Sequence, residues 1–176
     1  MEYHLETERL GLRSLNGNDA AHILKLDTAA DVLRYLPGTS INSLEEAAAV
    51  IAYIQQQYTA NGIGRWAMIR KADGAFLGWC GIKWVNDKET NGRTGYHDIG
   101  YRLLPAFWQQ GYAFEAAKAC CDYGFATMGL QELHATVMEG NVASARIIEK
   151  LGMQLVSRFE ENGNLWRWYT LKDVNR

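Results

Sequence analysis

The sequence predicts an α/β fold, a mixed sheet of about seven strands with helices on its faces. Three observations carry this. Short β-rich runs alternate with amphipathic helical patterns in the order β-α-α-β-β-β-α-β-α-β-β. Glycine, proline and asparagine punctuate the junctions between them. No internal repeat, low-complexity segment or long linker interrupts the 176 residues, so residues 1–176 are expected to form one domain.

Each element has its own local reason. "TERLGLRSL" alternates and reads as the first strand. "NGNDAAHILKLD" reads as a short helix, with Asn18 or Asp19 able to cap it. "DVLRYLPGTSI" is irregular or helical and stops at Pro37-Gly38. "NSLEEAAAVIAYIQQQYTANG" is a helix with Ser43 and Glu46 in capping-box spacing and Asn61-Gly62 as its stop. "RWAMIRK" and "AFLGWCGIKWV" form strands joined by an Asp73-Gly74 hairpin signal. "YHDIGYRLL" is a strand ended by Pro105. "YAFEAAKACCDYGFATMG" is a helix whose Ala116, Ala117, Cys120 and Gly124 form a small-residue face suited to close packing on a sheet. "LHATVM" is a strand. "NVASARIIEKLG" is a helix with Asn141 as cap and Gly152 as stop. "MQLVSRFE" and "LWRWYTL" form the last two strands, joined through "ENGN".

Composition excludes several classes. Apolar residues make up 48% and charged residues 22%, ordinary for a globular protein. Apolar runs are too short to span a bilayer, and the acidic "MEYHLETERL" lacks the pattern of a signal peptide. A cytoplasmic protein without membrane partners is expected. The net charge of -2 and the lack of a basic run argue against a nucleic-acid partner. Three cysteines, Cys80, Cys120 and Cys121, show neither a disulfide framework nor metal-ligand spacing, so they read as reduced packing residues and no metal is expected.

The stretch "WQQGYAFEA", Trp108 to Ala116, runs a glycine turn into a helix. A helix start leaves amides without partners and carries partial positive charge, which suits a phosphate. The known fingerprints fit poorly. A P-loop lysine is absent, and of the dinucleotide glycines only Gly111 is present. On this stretch alone, an anion site and a plain core helix both remain open.

The neighbouring blocks carry a resemblance. "DIGYRLLPAFWQQGYAFEAAKACCDYGF" followed by "LHATVMEGNVASARIIEKLGM" resembles the GNAT superfamily of acetyl-CoA-dependent N-acetyltransferases, in particular its RimJ/RimL-like branch, named for enzymes that acetylate ribosomal-protein N-termini. The matching residues are Ile99, Gly100, Tyr101, Leu103, Trp108, Gly111, Tyr112, Ala113, Glu115 and Ala116, then Asn141, Ser144, Glu149, Lys150 and Gly152. "ETERLGLRSL" and "RYLPG" also look like this branch. The resemblance implies a mostly antiparallel sheet splayed between its fourth and fifth strands, with acetyl-CoA in the V. The pantetheine arm would pair with backbone at Leu103 and Leu104. The turn Trp108, Gln109, Gln110, Gly111, Tyr112 and Ala113, with Phe114 on its rim, would cradle the pyrophosphate. Gln109 stands where the family usually has glycine; a positive φ there would strain it.

The same resemblance places Ser144 near the thiol as a proton donor and Asn141 beside the cofactor arm. Ile148 stands where many members carry an acidic tyrosine. Asp98 falls where the branch reads glutamate and is the first choice of general base. Asp98 and His97 are adjacent on a strand, so only one of them can face the cleft. His134 and Thr136 share a face on the next strand. The acceptor site is expected to draw on Tyr35, Leu36, Trp84 and His97, with Trp79, Trp166 and Trp168 nearby. A peptide N-terminal amine, with pKa about 7.7–8.0, is partly neutral without help, whereas a lysine-like amine near 10.4 needs about 4 kcal/mol to deprotonate. An acceptor of modest basicity therefore fits a site with no evident strong base. Other readings are an acetyltransferase for polyamines, amino acids or drug-like amines, and an acyl-CoA sensor that does not turn over. A monomer and a homodimer both fit.

Overall fold

The computed structural model describes residues 2–173. Its single sheet has eight strands: β1 (Leu5–Glu6), β2 (Leu10–Ser14), β3 (Arg65–Arg70), β4 (Phe76–Val85), β5 (Tyr96–Leu103), β6 (Glu132–Met138), β7 (Gln154–Glu161) and β8 (Asn164–Lys172). Five α-helices accompany it: α1 (Ala20–Thr28), α2 (Ala30–Leu33), α3 (Leu44–Asn61), α4 (Tyr112–Ala126) and α5 (Val142–Lys150). The spatial order is β1-β2-β3-β4-β5-β6-β8-β7. Every neighbouring pair is antiparallel except β5 and β6, which run parallel and share one register pair, Asp98 with His134. The sheet therefore opens between β5 and β6, the fourth and fifth strands of the sequence reading.

The eighth strand comes from the N-terminus. Leu5–Glu6 folds back on Leu12 and Gly11, and residues 7–9, expected inside the first strand, form the connection between the two. Thr7 closes a tight turn with Leu10, its N–H donating to Leu10 O at 2.9 Å and its Oγ1 accepting from Leu10 N–H at 3.0 Å, and both Thr7 and Arg9 also bind Glu115 on α4. The first helical segment is capped by Asn16 rather than Asn18 or Asp19. Its side chain accepts from Asn18 N–H, while the Asp19 carboxylate accepts from Asn16 N–H and from Arg13. Ser43 caps α3 by accepting from Glu46 N–H at 3.1 Å, and Gly62 ends it at φ +69°.

Two cores flank the sheet. On one face Leu12, Met68, Ile82 and Ile99 pack under α4 and α5; on the other Ala67 and Ile69 meet Ile23, Leu26, Ile51 and Ile54 of α1 and α3. Burying each such aliphatic side chain stabilises the fold by about 1.5–3 kcal/mol. The small face of α4 sits directly on the sheet. Ala116, Ala117 and Cys120 are fully buried, and a Cβ at Gly124 would lie 2.7 Å from Ile82 Cδ1. This packing fixes where the start of α4 meets the open edge of β5.

Candidate active site

The cleft begins where β5 runs out. Leu104 N–H still donates to Leu77 O on β4 at 2.9 Å. Because backbone groups alternate along a strand, Leu103 turns its N–H and C=O toward the open side. Pro105, which has no N–H, starts a short 3₁₀ turn over Pro105–Phe107. The Trp108 indole then reaches back and donates to Leu103 O at 2.8 Å. The edge carbonyl expected to meet the pantetheine arm is thus shielded by a half-exposed tryptophan.

After Trp108 the backbone turns twice through left-handed conformations, at Gln109 (φ +59°) and Gly111 (φ +82°). Gln109, at the position where the resemblance implies glycine, does have a positive φ, and its side chain is in solvent. α4 starts at Tyr112 without a side-chain cap. Among the described residues, none of the backbone N–H groups of residues 109–114 donates to a protein acceptor. Six consecutive free amides at a helix start make an anion cradle.

Arg9 borders this cradle. Its Nε donates to Glu115 Oε2 at 2.7 Å, its Nη1 donates to Gln110 O at 2.9 Å, and its guanidinium lies 4.3 Å from the centroid of the Tyr112 ring. Thr7 Oγ1 and Arg9 N–H donate to Glu115 Oε1 at 2.5 and 2.9 Å. Burial pushes the Glu115 carboxyl up, but these donors together outweigh it and hold the carboxyl below its ordinary value. Sequence alone assigns neither Arg9 nor Glu115 a role; the signal for them is a basic residue in "TERL" and the one acid in the first turn of α4.

Across the cleft, Asn141 caps α5 by accepting from Ser144 N–H at 3.2 Å. The Ser144 hydroxyl lies 3.0 Å from the Tyr101 hydroxyl, which is also 3.2 Å from Ser144 O. Tyr101 comes from β5 and Ser144 from α5, so the pair bridges the two arms of the V. Burial pushes the Tyr101 hydroxyl well above its ordinary value, so it keeps its proton. Tyr101 was legible as a motif residue but not as a partner of Ser144. Its place two residues before Leu103, on the same face of the strand, was the available signal. Ile148 is buried in the core beneath α5.

The opposite face of β5 carries charge. Asp98 forms a salt bridge with Arg65, whose Nη1 also donates to Asp98 O at 2.8 Å. A Cβ at position 100 would lie 2.8 Å from Arg65 Nη2, so Gly100 leaves the room in which the guanidinium sits. Two residues on, Arg102 Nη1 donates to Asp27 Oδ1 on α1 at 2.5 Å. Both guanidiniums lie 5.3 Å from the centroid of the Trp79 ring. The structure thus places Asp98 in an ion pair rather than as an open carboxylate.

His97 and Trp84 do not join Asp98. Trp84 pairs in register with His97, and Lys83 with Asp98, so the two sets project from opposite faces. The His97 and Trp84 rings lie 4.6 Å apart beside a cavity of about 150 Å³ near Gln131 and Glu132. His134 is buried, with Nε2 3.2 Å from Glu132 Oε1 and Nδ1 2.9 Å from Thr170 Oγ1. Since a carboxylate only accepts, Nε2–H donates to Glu132 and Nδ1 accepts from Thr170. Tyr35 stands over the β6–α5 connection, its Cε1 3.9 Å from the Cβ position of Gly140, while Leu36 packs into the core under α1–α3. Among the described residues no His, Cys, Asp and Glu cluster could hold a metal, and no helix is long and apolar enough to cross a membrane.

The fold and the cleft define the class, an acyltransferase. The chain belongs to the GNAT acetyltransferase family, whose sequence pattern, described as Acetyltransferase (GNAT) domain, matches residues 9–154. It is an N-acetyltransferase of that family. It is 31% identical over 150 residues to the uncharacterized N-acetyltransferase YoaA of Bacillus subtilis (strain 168), covering 85% of this chain and 82% of that protein. It is 31% identical over 158 residues to the FsC-acetyl coenzyme A-N(2)-transacetylase of Aspergillus fumigatus, covering 88% of this chain and 66% of that protein. The fold is similar to a ribosomal-protein-S5-alanine acetyltransferase from Vibrio fischeri, with TM-score 0.79, 14% identity and coverage of 97% of this chain and 96% of that one. It is also similar to spermidine N-acetyltransferase from Vibrio cholerae in complex with CoA and spermine, with TM-score 0.75, 16% identity and coverage of 94% and 96%.

Proposed function

We propose that this chain transfers the acetyl group of acetyl-CoA directly to a primary amine of modest basicity, first of all an α-amine such as a peptide N-terminus. The observation that carries the acceptor class is the state of two carboxylates, Asp98 on β5 and Asp27 on α1, on the Asp98 side of the sheet. Asp98 is paired with Arg65 and Asp27 with Arg102, and both pairs are largely buried. Neither carboxylate is left over to strip a proton from a strongly basic amine or to anchor a polycation. An α-amine, with pKa about 7.7–8.0, presents a neutral fraction at pH 7.4 unaided.

The donor side fits acetyl-CoA. The free amides of Gln109, Gln110, Gly111, Tyr112 and Ala113 suit its pyrophosphate, and the Leu103 edge suits its amide-bearing arm once the Trp108 indole gives way. Acetyl-CoA supplies an activated thioester. Ser144 and Tyr101 supply a held proton. The single O–H of Tyr101 serves two acceptors; when it donates to Ser144 Oγ, the serine proton is free to point into the cleft. Tyr35 would wall the acceptor side, and Asn141 holds Ser144 in place through its cap. Trp84 and His97 lie on the Tyr101 face of the sheet but toward the start of β5, beside Gln131 and Glu132, and have no part in this reading. Three free thiols, all buried, accord with a cytoplasmic setting.

The test is amine-dependent release of CoA thiol at pH 7.4 over three acceptors: a peptide with a free N-terminus, the same peptide N-blocked but carrying lysine, and spermidine. The free N-terminus should give the highest kcat/KM. Strong preference for spermidine would overturn the acceptor class, and tight CoA binding without any thiol release would favour the sensor.

A further inference from the structure

We propose that Arg9 is the cationic member of the phosphate cradle, clamped by Glu115 so that its free Nη2 faces the phosphoryl oxygens of the donor. This rests on the acetyl-CoA reading above.

Three sets of contacts carry it. Nε is used by Glu115 and Nη1 by Gln110 O, both within 2.9 Å, and the guanidinium stacks on Tyr112. The fork is therefore held in one orientation, and among the described residues Nη2 has no protein acceptor. Nη2 lies 3.2 Å from the Cβ position of Gly111, at the centre of the six free amides. A side chain at Gly111 would push it away, and Gly111 has φ +82° besides. Beside the turn lies a cavity of about 500 Å³ lined by Arg9, Gly111, Phe114, Lys118 and Lys150. The other two cations there are differently engaged. Lys118 pairs with Asp122 at 2.6 Å, and Lys150 Nζ lies 4.1 Å from the centroid of the Phe114 ring.

Arg9 reaches the turn from the far end of the chain, on the connection between β1 and β2. Through Gln110 O it also braces a turn that contains two left-handed residues. A planar, always-charged guanidinium suits both tasks, whereas lysine can make only a point contact.

The experiment compares acetyl-CoA with S-acetylpantetheine, which has the same thioester arm but no phosphates. Arg9→Gln should raise KM for acetyl-CoA about tenfold or more, and lower kcat/KM for S-acetylpantetheine by a much smaller factor that reflects only the lost brace on the turn. Glu115→Gln, which loosens the clamp but keeps the cation, should raise the acetyl-CoA KM by a smaller factor. Equal loss with both donors, or no change in the acetyl-CoA KM, would overturn the proposal. If Arg9→Gln does not fold, Arg9→Lys serves, with an intermediate rise in KM expected for acetyl-CoA alone. Wild-type turnover of acetyl-CoA is the control that separates the two ideas. Its absence sinks the proposed function, whereas its presence with an unchanged Arg9→Gln KM sinks only this inference.

Discussion

The hydroxyls of Tyr101 and Ser144 lie 3.0 Å apart, one from β5 and one from α5, across the parallel β5–β6 junction. Tyr101 fixes the serine side chain, and burial keeps the tyrosine protonated. General-acid assistance is worth about 10²–10⁴-fold. Ser144→Ala should therefore lower kcat about 10²-fold. Tyr101→Phe should lower it about tenfold, the weight of one hydrogen bond of about 1.4 kcal/mol. Steady-state kcat with saturating acetyl-CoA decides this. A Ser144→Ala enzyme with full kcat would reduce Ser144 to an ordinary first-turn residue.

Gln109 occupies φ +59° with its side chain in solvent. A left-handed conformation costs a residue with a Cβ about 1–2 kcal/mol, less the extra chain entropy that glycine loses. Gln109→Gly should raise stability by about 1 kcal/mol at most, or a Tm gain of about 2–4 °C for a chain of this size. CoA affinity, measured by calorimetry, should stay equal or tighten. A large loss of affinity would mean that the glutamine side chain itself holds the cofactor.

Asp98 and Arg65 form a largely buried pair. Removing one partner of such a pair costs about 3–5 kcal/mol. Asp98→Asn should lower stability by about 3 kcal/mol in chemical denaturation yet leave the acid limb of the kcat/KM pH profile in place. Loss of turnover together with loss of that limb would restore Asp98 as the general base. Gly100→Ala, which crowds Arg65 Nη2 from 2.8 Å, should destabilise in the same direction.

His97 and His134 both titrate below the ordinary histidine value, chiefly because burial disfavours their charged form. At His134 the Glu132 carboxylate opposes burial but does not win. The unfolded chain, with histidines near pKa 6.5, then binds protons that the folded chain refuses. Stability should be full above about pH 6.5 and fall as the pH drops below it. Denaturation midpoints at pH 7.5 and 5.5 check this, and a flat profile would contradict it. His97→Gln should remove part of the slope.

Much of the architecture was legible because its signals are local. The caps at Ser43 and Asn141, the stops at Gly62 and Gly152 and the small face of α4 each act within one or two turns of chain. The glycine turn opening α4 was legible as a turn with unpartnered amides, since that follows from local backbone geometry. The first strand is instead two strands joined by a tight Thr7–Leu10 turn, whose Thr7 and Arg9 side chains also meet Glu115, more than a hundred residues away.

The acceptor face was the least legible part. Asp98, His97, Tyr35, Leu36 and Trp84 were all chemically suitable, and alternation allowed only that Asp98 and His97 must part. The register of β4 against β5 decided which residues share a face, and the approach of β3 decided that Arg65 takes the Asp98 carboxylate.

The sequence by itself determined the order of elements, because periodicity and capping are properties of contiguous residues, and it carried the motif residues that resemble the family. Only the tertiary structure decided that Tyr101 meets Ser144, that Arg9 and Glu115 brace the turn and that Asp98 pairs with Arg65. Those relationships join residues far apart in the chain, and their strength depends on distance, burial and the partner already present.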